Sequence, residues 1–392
     1  MSVDLLIQTI SKDCVPNIIA AETFRPRSII WIYVEGQEAI VARLKQLTSH
    51  ITDKQIAWQV DAADTKSMHD VLLQRFKEIS PKVNNVLFHL SSGPTAMQLQ
   101  GLIALSIYKS KTGKHVEAVV MDDRNCMFDV VFPVPKNNVY SSQIISLDKM
   151  LHSFGNELDQ QRPSNTLQAC LTRKNEIEEL RKLAPLIKKK MYRKHVHALN
   201  HAESKSKQFE IRDAQTGKKI NQLPSPLLDA FHVVQNIGLL SDLKINANNT
   251  ISYKQVTDEN PYVYINGGWL EDWLGLVLAE LEWNGAGTGV HVLIGKETSS
   301  HGRDSQELDF LGARHNRLVY WSCKHTARLT AEQLFEVDAL RDEMSGDGRH
   351  VVGILHGGEI TQGLLAKAKR LEIHVVNAWA DAAAKKILDI CR

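Results

Sequence analysis

The chain has 392 residues, with 47 Lys plus Arg against 45 Asp plus Glu and 43% apolar side chains, a balance that fits two or three folded domains and excludes disorder or collagen-like repetition. With 23% of residues charged, no apolar run approaches the ~20 residues of a membrane-spanning helix, so no membrane partner is expected. At a net charge of +2, any nucleic-acid site must come from local clustering.

Met1 to Ile7 carry no basic n-region, and Gln8-Thr9 cut the apolar stretch short of a secretory signal, so the segment reads as a first strand. β-branched runs then alternate with amphipathic stretches. Strands are expected at Val3–Ile10, Ser28–Val34, Gln55–Val60, Asn84–Leu90, His115–Met121 and Met127–Phe132, and helices near Gln37–Leu47, Lys66–Ile79 and Thr95–Tyr108. The short polar turn Asp122-Asp123-Arg124-Asn125 makes the sixth strand an antiparallel partner of the fifth. Residues 1–145 are therefore expected to form a Rossmann-like α/β domain with a mixed edge.

Residues 146–258 read as a basic helical connector. Pro163, Pro185, Pro224 and Pro226 punctuate helical stretches such as Thr172–Leu183 and Leu227–Ile237, and Leu227–Leu240 followed by Ile245–Tyr253 is winged-helix-like. From Arg173 to Lys207 there are eleven Lys or Arg against four Glu. Lys188, Lys189, Lys190, Arg193 and Lys194 at its centre are candidates to contact a nucleic-acid backbone, although a solvated helix face explains such a run equally well.

Residues 259–392 return to an α/β pattern. A helix is expected over Gly268–Glu282, strands at Val290–Ile294, Glu307–Gly312 and Leu318–Cys323, a helix from Thr330 to Met344, a strand at His350–Leu355, a helix from Thr361 and a last strand at Glu372–Val376. Asn284-Gly285-Ala286-Gly287-Thr288-Gly289 follows a helix and precedes a strand, the reverse of a dinucleotide fingerprint, and reads as a turn. Five scattered cysteines without CxxC spacing argue against a disulfide framework or a structural zinc, and for a reducing cytoplasm.

Asp309 is a carboxylate between the apolar residues of a buried strand pattern, and such a residue needs a reason. After a turn at Ala313-Arg314-His315-Asn316, the next strand ends on Lys324, so the hairpin brings the two together. Glu271, on the preceding helix, points to the same sheet edge. Asp309, Glu271 and the Cys323 carbonyl are oxygen donors of the kind Mn²⁺ or Mg²⁺ takes, and Lys324 would neutralise charge on a phosphodiester. A Cys323–His325 nucleophile lacks an oxyanion hole.

This arrangement resembles the PD-(D/E)xK nuclease superfamily. It departs from that pattern at Ser322, which stands where the superfamily has Glu or Asp. Some members with Ser-x-Lys move the carboxylate to the following helix, which here offers Glu332, Glu336 and Asp338, with Glu336 as first choice; Glu271 alone is the other option.

In open α/β sheets, ligands bind beyond the carboxyl ends of the strands at the switch point. Thr9-Ile10-Ser11-Lys12 and Ser91-Ser92-Gly93-Pro94-Thr95-Ala96-Met97 end there. Thr9, Ile10, Ser11, Ser91, Ser92, Gly93, Pro94 and Thr95 are thus candidate anion or nucleotide contacts, the plain alternative being a helix capped by Ser92 or Thr95.

Together, a Rossmann-like domain with Pro16-Asn17 after its first strand, this Ser-Ser-Gly-Pro-Thr turn and a PD-(D/E)xK-like module resemble the CARF nucleases of type III CRISPR antiviral defence, the Card group. The resemblance covers both ends of the chain and leaves the middle unmatched. It implies a homodimer, a cyclic oligoadenylate activator, commonly cyclic tetra-adenylate, and a Mn²⁺- or Mg²⁺-dependent nuclease acting on single-stranded RNA or DNA, with nicking of plasmid DNA as a further activity. Thr95 stands where many such loops have lysine, which removes one expected phosphate contact. Two rival functions remain at this point: a nucleotide-sensing DNA-binding regulator whose nuclease core decayed at Ser322, and a constitutive restriction or repair endonuclease.

Overall fold

The computed structural model describes residues 3–61, 63–122, 125–162, 164–188, 192–194, 206–212, 224–245, 250–257, 259–295, 304–326, 328–345 and 350–392. The first sheet contains β1 (Leu5–Thr9), β2 (Ser28–Tyr33), β3 (Gln55–Gln59), β4 (Asn85–His89), β5 (His115–Asp122), β6 (Met127–Phe132) and β7 (Lys136–Ser141). Their order is β3-β2-β1-β4-β5-β6-β7. The first five strands are parallel, and β6 and β7 run antiparallel. The order reverses between β1 and β4, which opens a crevice above their carboxyl ends.

Helices α1 (Val15–Phe24) and α2 (Glu38–Leu47) pack on one face of this sheet, and α3 (Thr65–Lys77) and α4 (Thr95–Thr112) on the other. With both faces covered, β1 is buried at every position, as its continuous Leu-Leu-Ile run requires. The sequence pattern does not predict α1. Residues 15–21 of that helix are all buried, so it has no polar face to set a 3.6-residue period.

The middle of the chain begins with α5 (Leu147–Phe154), two short strands, β8 (Glu157–Leu158) and β9 (Asn165–Thr166), α6 (Leu167–Thr172) and α7 (Lys174–Lys188). It continues through β10 (Tyr192–Lys194), β11 (Ser206–Arg212), α8 (Ser225–Ile237), β12 (Leu240–Ile245) and β13 (Thr250–Gln255). The hairpin after α8 is widened by β10 and β11 into an antiparallel sheet of order β10-β11-β13-β12.

The last part runs through α9 (Pro261–Val263), a π-helical turn at Tyr264–Gly268, α10 (Trp269–Leu278), β14 (Ala286–Ile294), β15 (Asp304–Arg314) and β16 (Arg317–Lys324). It ends with α11 (Ala331–Ser345), β17 (His350–His356), α12 (Gln362–Arg370), β18 (Ile373–Asn377) and α13 (Ala383–Cys391). The sheet order is β18-β17-β16-β15-β14-β8, with β9 also pairing β14, so the connector is stitched into this sheet. The glycine-rich segment is a turn only at its start. Gly285 takes a left-handed φ of 108°, whereas Ala286 onward is already β14.

One hydrophobic cluster joins β1, α1, α2 and α5 to β14–β17 and α11. The β15–β16 turn docks on the segment before α5, where Asn316 Oδ1 accepts the Ile145 N–H at 3.0 Å and Asn316 Nδ2 donates to the Gln143 carbonyl at 2.9 Å. The two sheets are thus joined through α5 and the segment before it. No helix among the described residues is long and apolar enough to cross a membrane.

Candidate active site and sensor crevice

The antiparallel register of β15 and β16 pairs Phe310 with Trp321, which sets Asp309 opposite Ser322. Asp309 Oδ2 accepts the Ser322 hydroxyl at 3.0 Å and the Cys323 backbone N–H at 2.6 Å. Burial raises the Asp309 carboxyl above its ordinary range, partly opposed by the Cys323 N–H, Lys324 and the Ser322 hydroxyl. Glu271, in the first turn of α10, is raised much further, by burial first and then by Asp309, Glu307, Asp272 and Glu259. Lys324 Nζ lies 3.4 Å from Glu336 Oε2 on α11.

The structure therefore brings together Asp309, Ser322, Cys323 and Lys324, sets Glu271 close enough to act on Asp309, and ties Glu336 to the lysine. Ser322 supplies no charge, but its hydroxyl steadies Asp309. Among the described residues, no three or more His, Cys, Asp or Glu side chains are arranged to hold a metal ion. The donor set nonetheless suits a hard divalent cation: Asp309 and Glu271 are half-buried carboxylates whose proximity costs free energy until a proton or a cation neutralises it. The Cys323 thiol is pushed well above its ordinary value by burial and then by Asp309 and Glu271, so it stays protonated and is no nucleophile.

Trp269 and Trp321 are fully buried and have no surface on which a base could stack. His325 lies edge-on to the paired rings of Trp269 and Trp379, each ring centroid 6.2 Å away, and so links α10 to the end of β16. The sequence reading missed this packing. Its one local signal is Gly267-Gly268, since a Cβ on Gly267 would lie 3.1 Å from His325 Cβ.

A second missed feature is Asp272, 4% exposed, which accepts the Tyr264 hydroxyl at 2.6 Å and pairs with Arg173 at 3.4 Å. Arg181 stacks over Trp273 at 4.5 Å. Two arginines of the basic run thus serve packing between α7 and α10. Lys188 ends α7, and Arg193 and Lys194 lie on β10. Lys189 and Lys190 lie outside the described residues.

At the other crevice, the loops after β1 and β4 are sewn together. The Thr9 hydroxyl donates to the Ser92 carbonyl, the Ser11 N–H to Ser92 Oγ at 3.1 Å, and the Ser11 and Ser92 hydroxyls meet at 2.8 Å. Thr9 and Ile10 are fully buried and shape the loop from beneath. Ser91 Oγ accepts the Met121 N–H, which fixes the loop to β5. Gly93 takes a φ of 93°, and a Cβ there would meet Thr9 Cβ at 2.8 Å and Met97 Cε at 2.9 Å.

Pro94 is the residue before α4, and no side chain caps that helix. The expected Ser92 or Thr95 cap does not form. The N–H groups of the first turn remain for another acceptor, with Pro94 and Thr95 exposed beside them. Beneath the loop, the His89 ring is fully buried and bonds Gln8 Oε1 at 3.0 Å, while Gln8 is bonded in turn by Asn17.

No protein-family model matches the chain, and no curated protein sequence is similar to it. Its fold is nevertheless shared over almost the full length with solved structures. Protein VC1899 from Vibrio cholerae superposes with a TM-score of 0.69 at 15% identity, covering 98% of this chain and 95% of that one. Can2 from Sulfobacillus thermosulfidooxidans, solved in complex with cyclic tetra-adenylate, gives 0.64 at 14% identity and covers 99% of each chain. A type III CRISPR defence DNA nuclease activated by cyclic oligoadenylate gives 0.50 at 13% identity, with 91% of this chain matching 46% of that one. At these identities the likeness defines a fold: a Rossmann-like sheet joined through a connector to a second α/β sheet.

Proposed function

We propose that this protein is a nuclease switched on by a cyclic oligoadenylate, with cyclic tetra-adenylate as the activator, and that it serves type III CRISPR antiviral defence. The observation that carries the reading is the grouping of Asp309, Glu271 and Lys324 around the end of the β15–β16 hairpin. It stands in a fold shared end to end with a protein solved with cyclic tetra-adenylate. In this reading residues 1–145 sense the ligand, residues 146–258 connect, and residues 259–392 cut.

The sensor would take phosphate oxygens on the free N–H groups of the first turn of α4, with Ser11, Ser92, Gly93 and Thr95 around them. A cyclic tetranucleotide has two-fold symmetry, so one ligand bridges two crevices and favours a homodimer. In the effector, Asp309, Glu271 and the Cys323 carbonyl would hold Mn²⁺ or Mg²⁺. Such an ion supplies charge neutralisation at the phosphoryl oxygens and makes water acidic enough to attack. Ser322 and the Cys323 N–H favour the ionised form of Asp309 and orient it, and Lys324 would offset negative charge as the phosphodiester is attacked. The basic stretch around Lys188–Lys194 would follow the backbone of single-stranded RNA or DNA without reading sequence.

The test is to incubate the full chain with Mn²⁺ and labelled single-stranded RNA, single-stranded DNA or supercoiled plasmid, with and without cyclic tetra-adenylate, beside Asp309→Ala and Lys324→Ala. Cleavage that needs the activator and disappears in both variants is the expected result. Activator binding without cleavage under any condition would favour the regulator reading, in which Ser322 marks a lost carboxylate. Cleavage of duplex DNA without activator would favour a constitutive endonuclease.

A further inference from the structure

We propose that Phe335 and Lys367 form a base-stacking subsite for single-stranded nucleic acid beside the phosphodiester centre. This rests on the nuclease reading of Asp309 and Lys324 and adds a substrate-binding residue to it.

Helix α11 buries Leu334, Val337 and Met344, and leaves Glu332, Phe335, Glu336 and Ala339 exposed at the i, i+3, i+4, i+7 spacing of one face. On that face Glu336 reaches Lys324 at 3.4 Å, so the face borders the proposed catalytic lysine. Phe335 is 49% exposed, and no other Phe, Tyr or Trp is exposed among the residues whose side chains are described. Trp269 and Trp321 are fully buried, and Trp379 is half-buried against His325 and Trp269. Phe335 is therefore the aromatic that this half of the molecule offers to a base.

Lys367 Nζ, from the neighbouring α12, stands 3.7 Å from the Phe335 ring centroid. The same last turn of α12 carries Lys369 and Arg370, both exposed. A ring with an ammonium over it and further cations beside it has the composition of a single-strand site, in which the ring takes a base and the cations take flanking phosphates. Two carboxylates share this face, Glu336, which pairs with Lys324, and Glu332, and Lys367, Lys369 and Arg370 outnumber them. A duplex keeps its base faces stacked on one another, so the subsite discriminates in favour of unpaired strands.

The experiment uses the full chain carrying Asp309→Ala, with cyclic tetra-adenylate and Mn²⁺, and follows fluorescence anisotropy of a labelled single-stranded oligonucleotide of about a dozen nucleotides, as RNA and as DNA, and of the matching duplex. Phe335→Ala should weaken single-strand binding roughly tenfold and leave duplex binding unchanged, whereas Phe335→Trp should retain binding. Lys367→Ala should weaken single-strand binding and flatten its salt dependence. In the otherwise native chain, Phe335→Ala should raise KM with kcat unchanged. Equal affinity of the Phe335→Ala and parent proteins, or equal losses for Ala and Trp, would overturn the subsite and leave the Lys367 contact as surface packing. The binding arm decides this even if the native chain cleaves nothing, an outcome that would instead defeat the nuclease reading.

Discussion

Lys324 Nζ is held 3.4 Å from Glu336 Oε2, which ties the end of β16 to the helix that follows. Glu336 is 55% and Lys324 21% exposed, so water screens the pair and its contribution to stability is at most about 1 kcal/mol. Its effect is positional: the carboxylate fixes where the ammonium points. Glu336→Gln should leave the melting temperature nearly unchanged and lower the cleavage rate several-fold, while Lys324→Ala removes cleavage. A Glu336→Gln protein that cleaves at the native rate would reduce Glu336 to a solvated side chain.

Gly93 is required twice over, by its φ of 93° and by the 2.8 Å and 2.9 Å that a Cβ would leave to Thr9 and Met97. Thr9 is fully buried and cannot give way. Gly93→Ala should therefore displace the loop from the start of α4, lowering cyclic tetra-adenylate affinity at least tenfold in a calorimetric titration. Basal folding, read by circular dichroism, should survive because the loop lies beyond the carboxyl ends of β1 and β4, outside the hydrogen-bonded sheet. Native affinity in this variant would remove the loop from the ligand site.

Below that loop, burial alone pushes the His89 imidazole down to about 3. Between that value and the ordinary ~6.5, the unfolded chain binds a proton that the folded chain refuses, so stability is lost as pH falls. The slope from this one group approaches about 1.4 kcal/mol per pH unit. His89→Gln keeps a neutral hydrogen-bonding side chain toward Gln8. Denaturant unfolding at about pH 4 and pH 6.5 should show a smaller acid loss in the variant than in the native chain; identical losses would mean that His89 does not stay neutral when folded.

The elements that carry these groups were legible to different degrees. Asp309 shows in the sequence because a carboxylate interrupts a buried strand, and the short hairpin turn fixes its partner strand. The parallel core strands show because both of their faces are buried. Helix α1 does not show, because its first seven residues are all buried and set no 3.6-residue alternation, and β7 does not, because Lys136-Asn137-Asn138 at its start resembles a loop. The Arg173–Asp272 pair spans 99 residues and leaves no local pattern. The same holds for the Trp269–His325–Trp379 packing, which exists only once β16 and α10 have met. A basic run read by charge alone therefore overstates its free charge, since Arg173 and Arg181 are spent on folding.

Glu271 provides a test of the cation that does not depend on cleavage. Burial and four neighbouring carboxylates raise its folded value far above the unfolded one, so the metal-free folded chain holds a proton that the unfolded chain releases. Stability from this group is thus lost as pH rises from the ordinary carboxylate range through neutrality, the opposite sense to His89. In EDTA, the melting temperature should fall between about pH 5 and pH 8, and Glu271→Gln should remove most of that fall. Mn²⁺ takes the place of the proton, so it should raise the native melting temperature most at the alkaline end and do little for Glu271→Gln. An Mn²⁺ stabilisation of equal size in both proteins would take Glu271 out of the cation site and leave Asp309 as the carboxylate on which the site depends.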